Sequence, residues 1–187
     1  MKTQHLELLP HEPTHLLALI ESAEAYERSS GLRLAAGVRE FMASGDVSRD
    51  FLAKLHGATS ADPWTFGFAV LDTADKLIVG SCGFVGPPGT DGAVEIAYAI
   101  APDYRGRGYA AEVARALVAY ALADGRARTI RAHTRPESNA STRVLTKCGF
   151  RHIGEINHPE DGLIWRWEYA GVEADPVGQR AGASTAA

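Results

Sequence analysis

The sequence predicts a single α/β domain of the mixed α+β kind, with helices on both faces of a twisted sheet, and three observations predict it. From Trp64 the chain alternates apolar and polar side chains through WTFGFAVLD, KLIVGSCGFVG and AVEIAYAI, separated by turn residues, as neighbouring strands do. A long helical stretch, YAAEVARALVAYALA, follows, and strand and helix then alternate toward the C-terminus. The length of 187 residues suits one well-buried domain, and 45% apolar with 22% charged residues is an ordinary globular composition.

Taken in order, residues 5 to 9 read as a short first strand, and THLLALIESAEAY after the Pro-punctuated turn has the helical spacing Leu16, Leu17, Ile20, Ala23 or Glu24. Residues 48 to 56 predict a second helix with Ser48 as its cap. Residues 27 to 47 resist placement, and LAAGVREFMASG within them fits either a helical turn or a flap. The three runs from Trp64 predict an antiparallel meander. In the long helix, residues 109 to 123, Val113, Ala116, Leu117, Tyr120 and Ala121 share one face. TIRAHT is a strand, a helix runs from about Asn139 to Lys147 and stops at Gly149, and FRHIGEI with LIWRWEY form a last hairpin. Residues 1–169 make the domain, and the Ala- and Gly-rich residues 170–187 predict a disordered tail.

A formal charge of −4 argues against a partner bound by phosphate neutralisation, so no nucleic acid is expected. Cys82 and Cys148 sit among apolar neighbours with no CxxC pair and no metal-ligand spacing, which predicts buried thiols in a reduced cytoplasm and no metal. Glu7, His11 and Glu12 interrupt what would be the apolar core of a signal peptide, and no stretch has membrane-span length; a cytoplasmic protein without a membrane partner is expected.

The chemistry concentrates in PDYRGRGYAAEVARALVAY, where a strand hands over to the long helix. Glycines let the backbone adopt conformations closed to other residues, and the first helical turn leaves N–H groups pointing outward. A helix terminus contributes only about 0.3–1 kcal/mol per anionic group, so Arg105 and Arg107, able to grip phosphate bidentately, should matter more. The turn reads as a pyrophosphate cradle; a surface turn with solvated arginines is the bland alternative. Gly106-Arg107-Gly108-Tyr109-Ala110-Ala111 also spells the G-x-G-x-x-A of a dinucleotide site. That fingerprint needs a βαβ unit and an acidic residue about 20 positions on, whereas a meander precedes the turn here and RARTIRA follows. No GxxxxGK[ST] phosphate loop is present.

Arg105-Gly106-Arg107-Gly108-Tyr109-Ala110 resembles the [QR]-x-x-G-x-[GA] acetyl-CoA loop of the GNAT N-acetyltransferase superfamily. Together, VEIAYAIAPDYRGRGYAAE and PESNASTRVLTKCGFRHIGE resemble the branch that includes the ribosomal-protein N-terminal acetyltransferases. The likeness runs from about Trp64 to Tyr169. It implies the GNAT acyl-CoA N-acyltransferase fold, a mixed sheet of six to seven strands whose fourth and fifth strands, AVEIAYAI and TIRAHT, splay to admit pantetheine. It also implies acetyl-CoA as cosubstrate, held by backbone groups near Tyr98 and Ile100, by amides from Arg105 to Ala110 (Arg105, Gly106, Arg107, Gly108, Tyr109, Ala110) and by Asn139. Lys147 or Arg143 is a candidate for the 3′-phosphate, or a solvated helix face. Family habit suggests a homodimer.

Acetyl transfer needs a neutral amine. Deprotonating a lysine-like amine at pH 7 costs roughly 4.6 kcal/mol and an α-amine about 1 kcal/mol, so a base matters most for the former. Glu95 is the candidate, an acidic residue in an otherwise apolar strand just before the splay point, where burial would strengthen it as a base; binding a cationic amine or pairing with an arginine is the alternative. Where many members of the family carry a tyrosine as general acid, this chain has Leu145. Ser141, one turn earlier, is the replacement donor by resemblance, or else part of the helix cap; Tyr98 and Tyr109 are further donors. His133, at a strand end near the cleft, is a candidate substrate contact or, more simply, a structural histidine; Cys148 reads as core, and Trp165 and Trp167 as packing on one strand face.

The sequence therefore predicts an N-acetyltransferase transferring acetyl directly to the primary amine of a peptide or small molecule. Protein N-termini are favoured by branch, with amino sugars, polyamines and amino acids open. A non-catalytic acyl-CoA-binding module would keep the cradle without needing Glu95.

Overall fold

The structure is a computed structural model that describes residues 1–42, 48–159 and 162–170. The expected tail after residue 170 lies outside the described residues. Eight strands form one sheet: β1 (Leu6–Pro10), β2 (Arg33–Leu34), β3 (Phe68–Asp72), β4 (Leu77–Phe84), β5 (Ala93–Ile100), β6 (Thr129–Thr134), β7 (Phe150–His158) and β8 (Gly162–Tyr169). The path is β1-β3-β4-β5-β6-β8-β7, antiparallel at every step except β5–β6, and β2 runs parallel beside Leu77 and Ile78 at the start of β4. The eighth strand, beyond the expected six to seven, is this two-residue β2, too short to leave a periodic signal.

The helices are α1 (Pro13–Glu21), α2 (Ala23–Ser30), α3 (Val38–Met42), α4 (Arg49–Gly57), α5 (Pro63–Phe66), α6 (Tyr109–Asp124) and α7 (Ala140–Lys147). The expected continuous first helix is broken at Ser22, which is extended (φ −165°) and whose hydroxyl caps α2 by accepting from the Ala25 N–H. Ser48 caps α4 as expected, accepting from the Phe51 N–H. The strand expected from Trp64 begins only at Phe68. Asp62 caps Trp64, Pro63 opens a helical turn, and Gly67 (φ 69°) closes it. Gly67 also crosses β4 so closely that a Cβ there would lie 2.4 Å from the Cys82 carbonyl oxygen, which no side chain allows.

Trp64 then joins a ring cluster with Phe68, Phe84 and Tyr120, at centroid separations of 4.3–5.7 Å, that ties α5, β3 and β4 to α6. Helix α6 buries Ala111, Val113, Ala114, Leu117, Val118 and Ala121, while Ala116 and Tyr120 of the expected face are half-buried at its edge. On the last hairpin, Trp165 and Trp167 do share a face, and the His152 ring packs against both.

Two acidic residues set the entrance of α6. Glu112 in its first turn collects the Thr3 hydroxyl, the His5 and Leu6 N–H groups (2.8 and 3.1 Å) and the His5 ring (3.0 Å), binding the start of β1 to the helix. Asp72 at the end of β3 is 1% exposed and accepts from the Tyr109 hydroxyl (2.6 Å) and from the N–H groups of Ala74 and Asp75 (2.8 and 3.0 Å). Burial would raise the Asp72 carboxyl, but the Tyr109 hydroxyl and the two amides outweigh it and hold it below the usual range. Substituting Tyr109→Phe removes one donor from this buried carboxylate and should lower stability by about 1–3 kcal/mol, read as a lower urea midpoint at unchanged m.

Candidate functional site

Strands β5 and β6 pair over three residues each, 93–95 against 129–131, and then part. Along β5 the Glu95 carbonyl accepts from the Val85 N–H (3.0 Å) and the Ala101 N–H donates to the Val79 carbonyl (2.8 Å), both on the β4 side. By alternation, the backbone groups of Tyr98 and Ile100 face the gap that β6 has left. The Ile100 carbonyl is engaged there by the Arg105 Nε (3.1 Å).

At the end of that gap, past a 3₁₀ turn at Pro102–Tyr104, lies the loop expected to cradle an anion. Gly106 (φ 77°) and Gly108 (φ 86°) are left-handed, and Gly108 is the residue preceding α6, with no side chain to cap it. Backbone donation resumes only at the Ala111 and Glu112 N–H groups, both to the Gly108 carbonyl. The five amides of Gly106, Arg107, Gly108, Tyr109 and Ala110 therefore have no acceptor among the described residues. Gly106, Gly108, Tyr109 and Ala110 line a cavity of about 600 Å³, together with Tyr98, Ile100, Asn139 and Ser141. Arg105, Arg143 and Lys147 line it too and no carboxylate does, so a chain of net negative charge presents a positive cavity here.

The two arginines of the motif differ. Arg105 lines the cavity, whereas Arg107 turns away: its guanidinium lies 4.5 Å from the Tyr104 ring centroid and donates to the Asp103 carbonyl. Asn139 is the N-cap of α7, its side-chain oxygen accepting from the Thr142 N–H while the Thr142 hydroxyl accepts from the Asn139 N–H. That reciprocal cap leaves Ser141 out, exposed at the cavity wall. Tyr109 points its hydroxyl at Asp72, and the Tyr98 hydroxyl is buried without a partner.

Glu95 and Ser141 meet in a smaller space of about 150 Å³, shared with Tyr98, His133 and Leu145. The burial expected of Glu95 is not found, since its side chain is 31% exposed, nor does it pair with an arginine. Its partner is His133, whose Nδ1 lies 2.9 Å from the carboxylate while Nε2 is buried with no partner. His133 is thus not the satisfied structural histidine its position suggested. The parallel register sets Arg131 opposite Glu95 and so puts His133 on the same face, a relation that only strand pairing reveals. Leu145 is buried at 1% exposure. Burial raises the thiols of Cys82 and Cys148 and the Tyr98 phenol, so all three stay protonated at neutral pH.

A second cavity, also of about 600 Å³, shares Tyr98 and Ala99 with the first and opens between β4, β5 and the helices α1, α3 and α4. Sequence reasoning missed it because its walls come from six separate elements. At its back His11 is 2% exposed, with Nε2 3.3 Å from the Ser81 hydroxyl. Among the described residues, no three His, Cys, Asp or Glu side chains gather as a metal site, and no helix is long and apolar enough to cross a membrane.

The sequence profile of the acetyltransferase (GNAT) domain matches residues 5–151. The uncharacterized N-acetyltransferase YjdG of Bacillus subtilis (strain 168) is 31% identical over 102 residues, 54% of this chain and 58% of that protein. The chain spans about half the length of the curated relatives it matches. Ribosomal-protein-S5-alanine acetyltransferase from Vibrio fischeri superposes with TM-score 0.61 at 14% identity, over 90% of this chain and 94% of that one. A spermidine N-acetyltransferase chimera from Vibrio cholerae and hSSAT gives TM-score 0.60 at 17% identity, over 89% and 95%. At such identities these two likenesses are of fold alone.

The depth of His11 has a consequence for stability. Burial, and secondly the nearby His15, lower its pKa from the ordinary 6.5 to about 4, so it is neutral at pH 7. Between those values the unfolded chain binds the proton more readily. The contribution of His11 is therefore fully present above about pH 6.5 and lost as pH falls toward 4, in total about 3 kcal/mol. His11→Gln should flatten that part of the profile: the difference between its urea midpoint and that of the parent should shrink from pH 7 to pH 4.5.

Proposed function

The chain belongs to the GNAT acetyltransferase family, and from that premise we propose that it takes acetyl-CoA as cosubstrate and transfers acetyl directly to a primary amine. The observation that carries the reading is the row of five amides, Gly106 to Ala110, without acceptors among the described residues, beside a positive cavity that shares Tyr98 and Ala99 with a second cavity. Unpaired amides and basic side chains together fit a pyrophosphate, and the free backbone edge of β5 fits the amide-bearing pantetheine arm.

In this reading the amides of residues 106–110 and the Arg105 guanidinium hold the diphosphate. Backbone groups of Tyr98 and Ile100 orient the arm, the side-chain amide nitrogen of Asn139 contacts it, and Arg143 or Lys147 serves the 3′-phosphate. Bound acetyl-CoA supplies a thioester whose thiolate, with a pKa near 8.5, departs with little assistance. That tolerance suits a site with Leu145 where a tyrosine acid would stand, and it leaves Ser141 the modest role of a hydrogen-bond donor. Glu95 accepts the amine proton, directly or through a water, and the imidazole of His133 keeps its carboxylate in place. The protonated, buried state of both cysteines favours direct transfer over an acyl-cysteine.

Glu95→Gln should cut kcat by about 10²-fold with CoA affinity within about twofold of the parent, measured by thiol release and by calorimetry. A fall in rate and affinity together, or no turnover of any amine, would defeat the catalytic proposal and leave a CoA-binding module. Arg105→Ala should weaken CoA about tenfold, and Arg107→Ala distinctly less, at matched ionic strength.

A further inference from the structure

We infer that the acceptor is a primary amine carried on an apolar aliphatic or aromatic framework, with no second ammonium group, bound in the cavity between β4, β5 and helices α1, α3 and α4. The inference rests on the acetyltransferase reading and narrows the substrate of that site.

Position is the first argument. This cavity shares Tyr98 and Ala99 with the cavity of the amide loop, and it shares Ala97 and Tyr98 with the small space that holds Glu95 and His133. Glu95, Ala97 and Ala99 alternate along β5 and so lie on one face, with the carboxylate at one end of the row and the cavity along the rest. An amine placed at Glu95 therefore carries its body past Ala97 into this cavity.

The chemistry of the walls is the second. Ile20, Phe41, Met42, Phe51, Phe66 and Phe84 are among its walls, and no described residue lining the cavity is Asp, Glu, Lys or Arg. Four of its polar side chains are already engaged, while the Tyr98 hydroxyl lacks a partner among the described residues. Ser48 caps α4, the Thr65 hydroxyl donates to Asp62 (2.6 Å), and His11 and Ser81 face each other at 3.3 Å. A second ammonium entering here would lose its water and find no counter-charge among the described residues, while an apolar framework would gain by leaving water. At about 600 Å³ the cavity falls within the range of small-molecule sites and takes a phenyl- or leucyl-sized group with room beyond it. Polyamines and amino sugars match it poorly, the former for charge and the latter for unpaired hydroxyls.

The test is a calorimetric titration of the full chain, saturated with CoA, with phenethylamine, a phenylalanine-initiated tripeptide amide, spermidine and glucosamine. The inference expects phenethylamine or the tripeptide to bind at least tenfold tighter than spermidine and glucosamine, and the two arms separate a free amine from a peptide terminus. It also expects Phe51→Ala to weaken that binding at least fivefold with CoA affinity unchanged, Phe51→Leu to restore most of it, and Ile20→Ala to act in the same direction should the first variant fold poorly. Spermidine or glucosamine binding as tightly as the apolar amines, no amine binding at all, or indifference to both cavity variants overturns it. Thiol release from acetyl-CoA on parallel samples judges the transferase reading separately: an apolar amine that binds and is never acetylated sinks that reading and leaves this one standing.

Discussion

Strands β5 and β6 are held together by three residue pairs and then separate, and the rest of the molecule is arranged around that separation. A strand that loses its neighbour in the middle of a sheet exposes peptide groups which cost free energy unless something pairs with them. Here the freed edge of β5 runs straight to the loop at Gly106 and Gly108, where five more amides lack acceptors. Two stretches of unpaired backbone, on β5 and past the 3₁₀ turn in the glycine loop, flanked by Arg105, Arg143 and Lys147, form a binding surface that ordinary folding would leave unfavourable. Under the proposed function, a long ligand with a diphosphate at one end and amides along its length would satisfy it.

Such a surface is useful only if it is rigid, and the fold spends buried polar groups on that. Asp72 reaches from the end of β3 to the Tyr109 hydroxyl in the first turn of α6, and Glu112 in the same turn gathers the start of β1. The Trp64, Phe68, Phe84 and Tyr120 rings hold the far end of the helix. The amide loop is thereby anchored from three strands although Gly106, Arg107 and Gly108 are exposed. Arg107, turned over Tyr104, belongs to this support and not to the cavity wall.

The two sides of the gap differ in character. On the loop side the lining is basic, and on the other it is apolar, with the neutral His11 and Ser81 occupying each other. Between them lie Glu95 and His133, with Nδ1 2.9 Å from the carboxylate. Under the proposed function, an amine approaching from the apolar side reaches the Glu95 carboxylate there.

Much of this was legible in the residue order. The three strands of the meander, the helix from Tyr109, the cap at Ser48 and the glycine loop are local patterns, set by alternation, helical periodicity and the backbone freedom of Gly106 and Gly108. Where local signals competed, as at Ser22 and at Asp62-Pro63, a single capping residue prevailed over hydrophobic rhythm and shortened the expected element. What tertiary structure alone decided were relations between distant segments: His133 beside Glu95, Arg107 diverted onto Tyr104, and an apolar cavity assembled from α1, α3, α4, α5, β4 and β5. Sequence encodes each residue's conformational preference directly, because that depends on near neighbours. Register and packing, which choose the partner of a side chain, emerge only when the whole chain closes on itself.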